Sequence, residues 1–346
     1  MEDAYSTITS IASRDFSSQR VLVVGAGWMG GEFLKTLRAL GVSNTVAITT
    51  IEETASLRRS EFGIEVRLGP VETTLKQNEA FDLVVIATPI DSLLSVCRHA
   101  LAFGYRNILL EKPGSLWSSE LKFFADEIGH YDARVRLAYN RYVYPNLILL
   151  ERLAAAEGGI TSCRYTFTEW IHKIDFTKAP IDIYRRWGIS NSLHPIGMAH
   201  RLIGMPVELS TQRGGNLDWH PSGARFSGSG LTDRGVVFAY DADWESAGRW
   251  SVEVRTNENA YRMMPLEDLE ICRRGSVQWN PVGFDTAFAD VKAGVAEELA
   301  VMLEPSLESM LPLPTLAEGI RLARLGEQIF GYESSARTLG TAPERK

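Results

Sequence analysis

The strongest constraint on the fold lies between Val21 and Gly41. Val21-Leu22-Val23-Val24 is a short, mostly β-branched run, suited to a strand buried on both faces. Gly25-Ala26-Gly27-Trp28-Met29-Gly30 follows. Phe33, Leu34, Leu37 and Leu40 then recur at helical spacing, and Gly41 sits where a C-cap belongs. A GxGxxG between strand and helix has a physical reading. Gly25 permits the tight turn, Gly27 lets the backbone approach a pyrophosphate, and Gly30 lets helix and strand pack closely. The helix N-terminus, with Trp28 and Met29 in its first turn, offers unpaired N–H groups to phosphates. The competing reading is a glycine turn with no ligand.

The alternation continues downstream. Val46-Ala47-Ile48 reads as a second strand and Asp82–Ala87 as a later one, broken by Thr88-Pro89. Leu93, Leu94, Cys97 and Leu101 mark a helix, with His99 in its pattern as core or surface. Asn107-Ile108-Leu109-Leu110 is a strand ending at Glu111-Lys112-Pro113. A helix around Ser119–Ile128 and a strand around Arg134–Ala138 complete the series. Strands and helices in this order predict a doubly wound parallel sheet. Beyond about residue 158 the texture changes. Cys163, Tyr165 and Phe167 alternate with Arg164, Thr166 and Thr168, the pattern of a half-solvated antiparallel strand. Similar segments recur at Arg234–Tyr240, Trp250–Thr256 and Leu269–Arg273. Helical periodicity returns at about Asp285–Leu303 and Leu316–Phe330.

Length supports two domains, since 346 residues at ~150 per domain gives about two. The expected division is an arm or helix over 1–19, a dinucleotide-binding domain over 20–140, and a mainly antiparallel domain over 141–314, to which the resemblance given below assigns substrate and oligomer contacts. Residues 315–346 supply a last helix packing back on the first domain, and a tail. The 36 basic and 43 acidic residues leave a net charge of −7, which disfavours a nucleic-acid partner. Three cysteines without metal-ligand spacing suit a reducing compartment. The acidic start and the lack of a ~20-residue apolar run point to a cytoplasmic protein without a membrane partner.

The second strand ends near Thr49-Thr50, with no carboxylate at the position that ordinarily holds the ribose hydroxyls. Two hydroxyls there, with Arg58 or Arg59 nearby, tip the cofactor toward NADP over NAD. The opposing reading has Glu52 or Glu53 doing the acid's work one turn later.

From Glu111-Lys112-Pro113 onward the chain resembles the Gfo/Idh/MocA oxidoreductases, named for glucose-fructose oxidoreductase and inositol dehydrogenase. The resemblance runs from about Arg20 to Gly331. It is carried by the GAGWMG loop, Val84–Pro89 (VVIATP), the EKP at 111–113, Tyr139-Asn140-Arg141-Tyr142, and His194 ten residues before Gly204. It implies an N-terminal Rossmann domain, doubly wound, and a C-terminal open-faced, mainly antiparallel sheet through which homo-oligomers form. It also implies NAD(P)-linked hydride transfer on sugars, cyclitols or nucleotide-linked sugars. By position, Lys112 would touch substrate and nicotinamide ribose, and His194 would stand beside the reacting hydroxyl, making these two the candidate catalytic pair. Thr88, Pro89 and Glu111 join the glycine loop, Thr49 and Thr50 as cofactor contacts. Asn140, Arg141 and Tyr142 would lie near the sugar. A non-redox member, an NAD-dependent glycoside hydrolase or a nucleotide-sensing regulator, is the alternative.

One position departs from that pattern. Many sugar dehydrogenases of the family carry an aspartate four residues before the histidine, and Ser190 stands there, beside Asn191. Neither ionises near neutral pH, which leaves more of the acid/base work to Lys112 or calls on a chain of 2′/3′-hydroxyls. A Lys–His pair makes chemical sense: burial and a nearby cation favour neutral lysine, and histidine titrates near working pH unaided. The bland alternatives are a turn lysine and a helix-capping histidine. His194 and His200 are six residues apart and share no helix face, so no metal is expected; His172 and His220 stay unassigned. Glu169-Trp170-Ile171-His172-Lys173 and Tyr184-Arg185-Arg186-Trp187 pair aromatics with cations. Trp170 and Arg186 are candidate substrate contacts on that ground, against an interface or ordinary-loop reading, and Asn191 beside Ser190 is a further candidate. Tyr240, Trp244 and Trp250 are read as sheet packing.

Overall fold

The computed structural model describes residues 3–76 and 79–333, so the tail expected beyond them lies outside the described residues. A first helix, α1 (Ala4–Ser10), is capped by Asp3, whose side chain accepts from Ser6 N. Then follow β1 (Arg20–Val24), α2 (Trp28–Ala39), β2 (Asn44–Thr49), α3 (Glu52–Phe62), β3 (Glu65–Leu68), a single turn α4 (Val71–Thr74) and β4 (Leu83–Ile86). The half closes with α5 (Leu93–Ala102), β5 (Asn107–Glu111), α6 (Ser118–Ile128) and β6 (Arg134–Ala138). All six strands are parallel, in the order β3-β2-β1-β4-β5-β6. The order reverses between β1 and β4, and the crevice at their carboxyl ends is where such sheets bind ligands. Val21 to Val24, Leu83 to Ile86 and Ile108 to Leu110 are buried, as a sheet covered on both faces requires.

The second half begins with α7 (Pro145–Ala156) and β7 (Ser162–Phe167), then α8 (Ile181–Arg185) and α9 (Leu193–Ile203). Seven strands follow: β8 (Pro206–Gly214), β9 (Arg225–Thr232), β10 (Val237–Asp243), β11 (Trp250–Arg255), β12 (Asn259–Met263), β13 (Glu270–Arg273) and β14 (Asn280–Pro281). With β7 they form an eight-stranded sheet ordered β14-β13-β12-β11-β7-β10-β9-β8. The expected alternation in β7 holds, with Cys163, Tyr165 and Phe167 buried. Its pairing is antiparallel to β11 but parallel to β10, so the sheet is antiparallel in all but one pair.

The helix read over Asp285–Leu303 is shorter than expected. Only Val295–Leu303 is helical (α10), and Gly294, at φ +77°, starts it. A side chain at Gly294 would come within 2.1 Å of the Asn140 carbonyl, so the preceding segment crosses the first domain at close range. The last helix, α11 (Leu316–Phe330), is capped by Thr315 and packs on α6 and α9. Its approach extends the first sheet: Leu137 N donates to Pro314 O at 2.9 Å, and Thr315 bridges Arg136. Among the described residues no helix is long and apolar enough to cross a membrane.

Candidate active site

The glycine loop has the geometry its sequence implies. Gly25 lies at φ +94°, and a Cβ there would stand 2.5 Å from Ala87 O, so the β1 and β4 loops touch. A Cβ on Gly30 would lie 1.9 Å from Gly25 O. On Gly27, by contrast, it would meet nothing within 4 Å, so this residue faces open space. Gly27 also caps α2 without a side-chain hydrogen bond, leaving first-turn N–H groups for an anion. Trp28 is 69% exposed above the loop, Met29 half-buried, and Thr88 Oγ1 buried without a partner beside exposed Pro89. A dinucleotide fits these residues: open backbone, free donors and an unused hydroxyl converge on one crevice.

At the end of β2, Thr49 is buried with its hydroxyl accepting from Ile51 N, while Thr50 is exposed. Arg58 reaches the glycine loop. Its Nε and Nη2 donate to Ala26 O (3.1 Å) and Gly27 O (2.9 Å), and Nη1 pairs with Glu61 at 2.6 Å. Arg59 is held by Glu52 at 3.3 Å and Val66 O. Glu52 and Glu53 stay exposed on the first turn of α3.

Lys112 follows β5 in a turn with a cis bond to Pro113. Its backbone N–H donates to Glu111 Oε2 at 2.8 Å, and its Nζ crosses to the second half of the chain, donating to Ser190 O at 2.7 Å. Ser190 sits in a π-helical turn, Gly188–Ser192, that leads into α9. Such turns often mark functional sites. Its start is wedged against α11, where a Cβ on Gly188 would meet the Phe330 ring at 2.3 Å. Burial pulls the Lys112 amine below its usual range; Glu111 and Glu169 oppose this, and Arg141 and Lys292 add to it.

His194, in the first turn of α9, is buried, with its ring 5.8 Å from Trp250 and 6.2 Å edge-on from Tyr139. Its Nδ1 and the Tyr139 hydroxyl are buried with no hydrogen-bond partner. Burial, then the charges of Arg141, Lys112 and Lys292, hold its pKa well below 6.5, so the ring is neutral at neutral pH. Arg141 lies over Trp250 at 5.2 Å, 3.7 Å from Glu267.

Beside this group opens a cavity of about 410 Å³ lined by Glu169, Trp170, Lys173, Trp187, Asn191 and Arg249, among others. Trp170 and Asn191, two of the candidate substrate contacts, line this cavity. Three other candidate contacts are not in its lining. Arg186 is buried in an ion pair with Glu327 at 2.9 Å and donates to Leu116 O. Asn140 donates to Ala293 O at 2.8 Å, holding the segment before α10. Tyr142 packs under α9, 3.1 Å from the Cβ position of Gly197 and beneath Arg201.

Four site residues escaped the sequence reading. Trp250, read as sheet packing, flanks His194. Glu169 is a buried carboxylate in the cavity wall, and Arg249 lies over both Trp170 and Trp250. Lys292 stands 4.8 Å over the Trp28 ring. Glu169 had a signal: it continues the inward parity of 163, 165 and 167, where a carboxylate is costly. Lys292 had none, because its segment has no periodicity to orient it.

Comparison with known proteins agrees with this architecture. Residues 19–138 match the Gfo/Idh/MocA model described as an oxidoreductase family with an NAD-binding Rossmann fold. No curated protein matches by sequence. Among solved structures, levoglucosan dehydrogenase in complex with NADH superposes with TM-score 0.73 at 17% identity, over 90% of this chain and 96% of that one. An oxidoreductase from Agrobacterium radiobacter in complex with NAD+, L-tartaric acid and magnesium gives 0.72 at 16%, over 92% and 96%. UDP-N-acetylglucosamine 3-dehydrogenase from Acidithiobacillus ferrooxidans gives 0.68 at 16%, over 91% and 98%. At these identities the structures speak for the fold alone, while the sequence match assigns residues 19–138, the first domain, to the NAD-binding Rossmann fold of the Gfo/Idh/MocA oxidoreductase family.

Proposed function

We propose that the protein transfers hydride between a nicotinamide cofactor and a CH–OH carbon of a sugar, cyclitol or nucleotide-linked sugar. The observation that carries this reading is the reach of Lys112, from the nucleotide-binding sheet, to the helix entry that holds His194. The non-redox alternative is not favoured, since the matched family is one of oxidoreductases.

Bound cofactor supplies the hydride acceptor or donor. The chain's own part is to bind, orient and move a proton. The α2 N-terminus and Gly27 hold the phosphates. Lys112, shifted toward its neutral form, takes the substrate hydroxyl proton on Nζ as the alcohol is oxidised, and returns it when the carbonyl is reduced. Neutral His194 hydrogen-bonds the same oxygen and orients it. Ser190 O keeps the lysine aimed at the cleft.

His194→Ala is expected to lower kcat by about 10- to 100-fold while leaving NADH affinity within about threefold, because the residue belongs to the second half of the chain. Fluorescence titration beside steady-state kinetics checks this. A loss of cofactor affinity matching the loss of turnover would mean that the ring only packs α9.

For the cofactor we propose NADP(H) in preference to NAD(H). The support is the missing carboxylate after β2, with exposed Thr50 in its place and the Arg58 guanidinium at the loop. Glu61 stands against it, since it already pairs with Arg58. Titrating both reduced cofactors at fixed salt tests the preference. Tenfold tighter NADH, ~1.4 kcal/mol, overturns it.

A further inference from the structure

Glu169 is 3% exposed and stands in the wall of the cavity. It lies two residues past β7, on the face that Phe167 and Tyr165 bury. A buried charge contributes little to stability compared with a well-packed apolar side chain of similar size. Here the carboxylate collects donors from two elements that converge on the cleft. From the π-helical turn, Ser192 Oγ donates to Oε1 at 2.6 Å and Asn191 Nδ2 to Oε2 at 3.0 Å. From the start of β11 come Trp250 Nε1 at 3.3 Å and, at 3.4 Å, Arg249. Both turn residues follow directly on Ser190, whose carbonyl receives Lys112 Nζ.

We propose that Glu169 is a positioning residue for proton transfer, pinning the Asn191–Ser192 end of the π-helical turn so that the Ser190 carbonyl holds the Lys112 amine toward the substrate. The inference rests on the hydride-transfer reading above for its consequence, though not for its geometry. Ser190 and Asn191 bring no ionisable group to the turn; Glu169 brings a carboxyl from just past the neighbouring strand, whose pKa burial raises while Ser192, Arg249, Trp250 and Asn191 oppose that shift. Among the charges acting on Lys112, Glu111 from its own turn and, more weakly, Glu169 favour the protonated amine, while Arg141 and Lys292 oppose it. Arg249 is the cation nearest Glu169 itself.

The test compares Glu169→Gln with Ser192→Ala in the full-length protein. Glu169→Gln removes the charge at constant size. A misplacement of about 1 Å costs up to ~10²-fold, so kcat is expected to fall by about 10- to 100-fold, with KM and NADH affinity changed less than about threefold. Without that negative charge Lys112 holds its proton less tightly, so the rising limb of the oxidative pH profile moves to lower pH. Ser192→Ala keeps the charge and leaves the limb in place while lowering kcat. The pH dependence of Lys112 reductive methylation, read by peptide mass spectrometry, reports the same shift without any turnover. Wild-type kcat in Glu169→Gln, or an unmoved limb and unmoved labelling curve, would overturn the proposal. Should Glu169→Gln fail to fold, Glu169→Asp retains the charge on a shorter arm; lowered kcat with an unmoved limb supports the proposal, and wild-type kcat overturns it. If the wild-type chain turns over no sugar, cyclitol or nucleotide-linked sugar, the hydride-transfer reading falls, and the labelling curves still decide the role of Glu169.

Discussion

Lys112→Ala is expected to reduce hydride transfer by about 10²- to 10⁴-fold, the usual contribution of a positioned acid or base, with NADH binding largely intact. Two features give the effect its size. The amine is held by the Ser190 carbonyl at 2.7 Å, so it is oriented before substrate arrives. Burial and the neighbouring Arg141 and Lys292 also favour its neutral form, so more of it is competent as a base near neutral pH than of a free lysine. The sign follows: oxidation rises with pH through an apparent pKa below 10.5, and reduction falls over the same range. His194, neutral already, adds no limb near 6.5. Lys112→Arg does not rescue, because a guanidinium stays protonated throughout. Steady-state kinetics from pH 6 to 10 on a confirmed substrate is the measurement, and wild-type turnover in the alanine variant would return Lys112 to the status of a turn residue.

The largest effect on stability is expected at Arg186. Both it and Glu327 are only 6% exposed, and the pair joins α8 to α11. Glu327 also accepts from Ser118 N (3.0 Å) and Ser118 Oγ (2.6 Å), which ties α6 to the same point. The Arg186 guanidinium is stacked 3.6 Å from Trp117 and 4.6 Å from Tyr332. Arg186→Ala strands the carboxylate and empties that stack, at a cost of about 3–5 kcal/mol. Tm should fall by about 6–15 °C with little change in KM, because the residue is outside the cleft. Arg186→Met with Glu327→Gln removes both charges and keeps one acceptor oxygen for Ser118 N, with an amide N–H that can donate to Ser118 Oγ, so it should recover most of the loss. A raised KM with unchanged Tm in Arg186→Ala would put the guanidinium back among the substrate contacts.

The parts legible in the sequence were those where local chemistry and tertiary role coincide. The β1–glycine–α2 unit carries its turn, its close approach and its amphipathic face within twenty residues. The strand before Lys112 and the helix over Leu316–Phe330 were equally plain. The edge of the second sheet was not. β9 runs Arg-Phe-Ser-Gly-Ser-Gly-Leu-Thr, which reads as a loop. Its glycines are there because β10 aromatics lie across them: a Cβ on Gly228 would meet Tyr240 at 2.4 Å, and one on Gly230 would meet Phe238 at 2.9 Å. Those rings belong to a different strand, so the reason for each glycine is non-local. The same holds for Arg186, whose partner Glu327 lies far along the chain, and for Lys292, placed over Trp28 by a segment with no pattern of its own. Glu169 was legible as an oddity of parity, but not as the pin of a turn formed by residues 188–192.

The closure of β6 by Pro314 and Thr315 has a consequence during synthesis. The first sheet has all its strands once Ala138 has been made, yet its last strand keeps a bare edge. Arg134 and Arg136 remain without Glu308, and the surface that receives Gly319 against Leu137 stays open. Translation must pass Thr315 before that edge is covered. Until then the nascent chain presents the bare outer edge of a parallel strand to its neighbours on the polysome, the kind of template on which newly made chains aggregate. A chain cut short within the second sheet therefore keeps every residue of the glycine loop and still leaves the ribosome with an open edge.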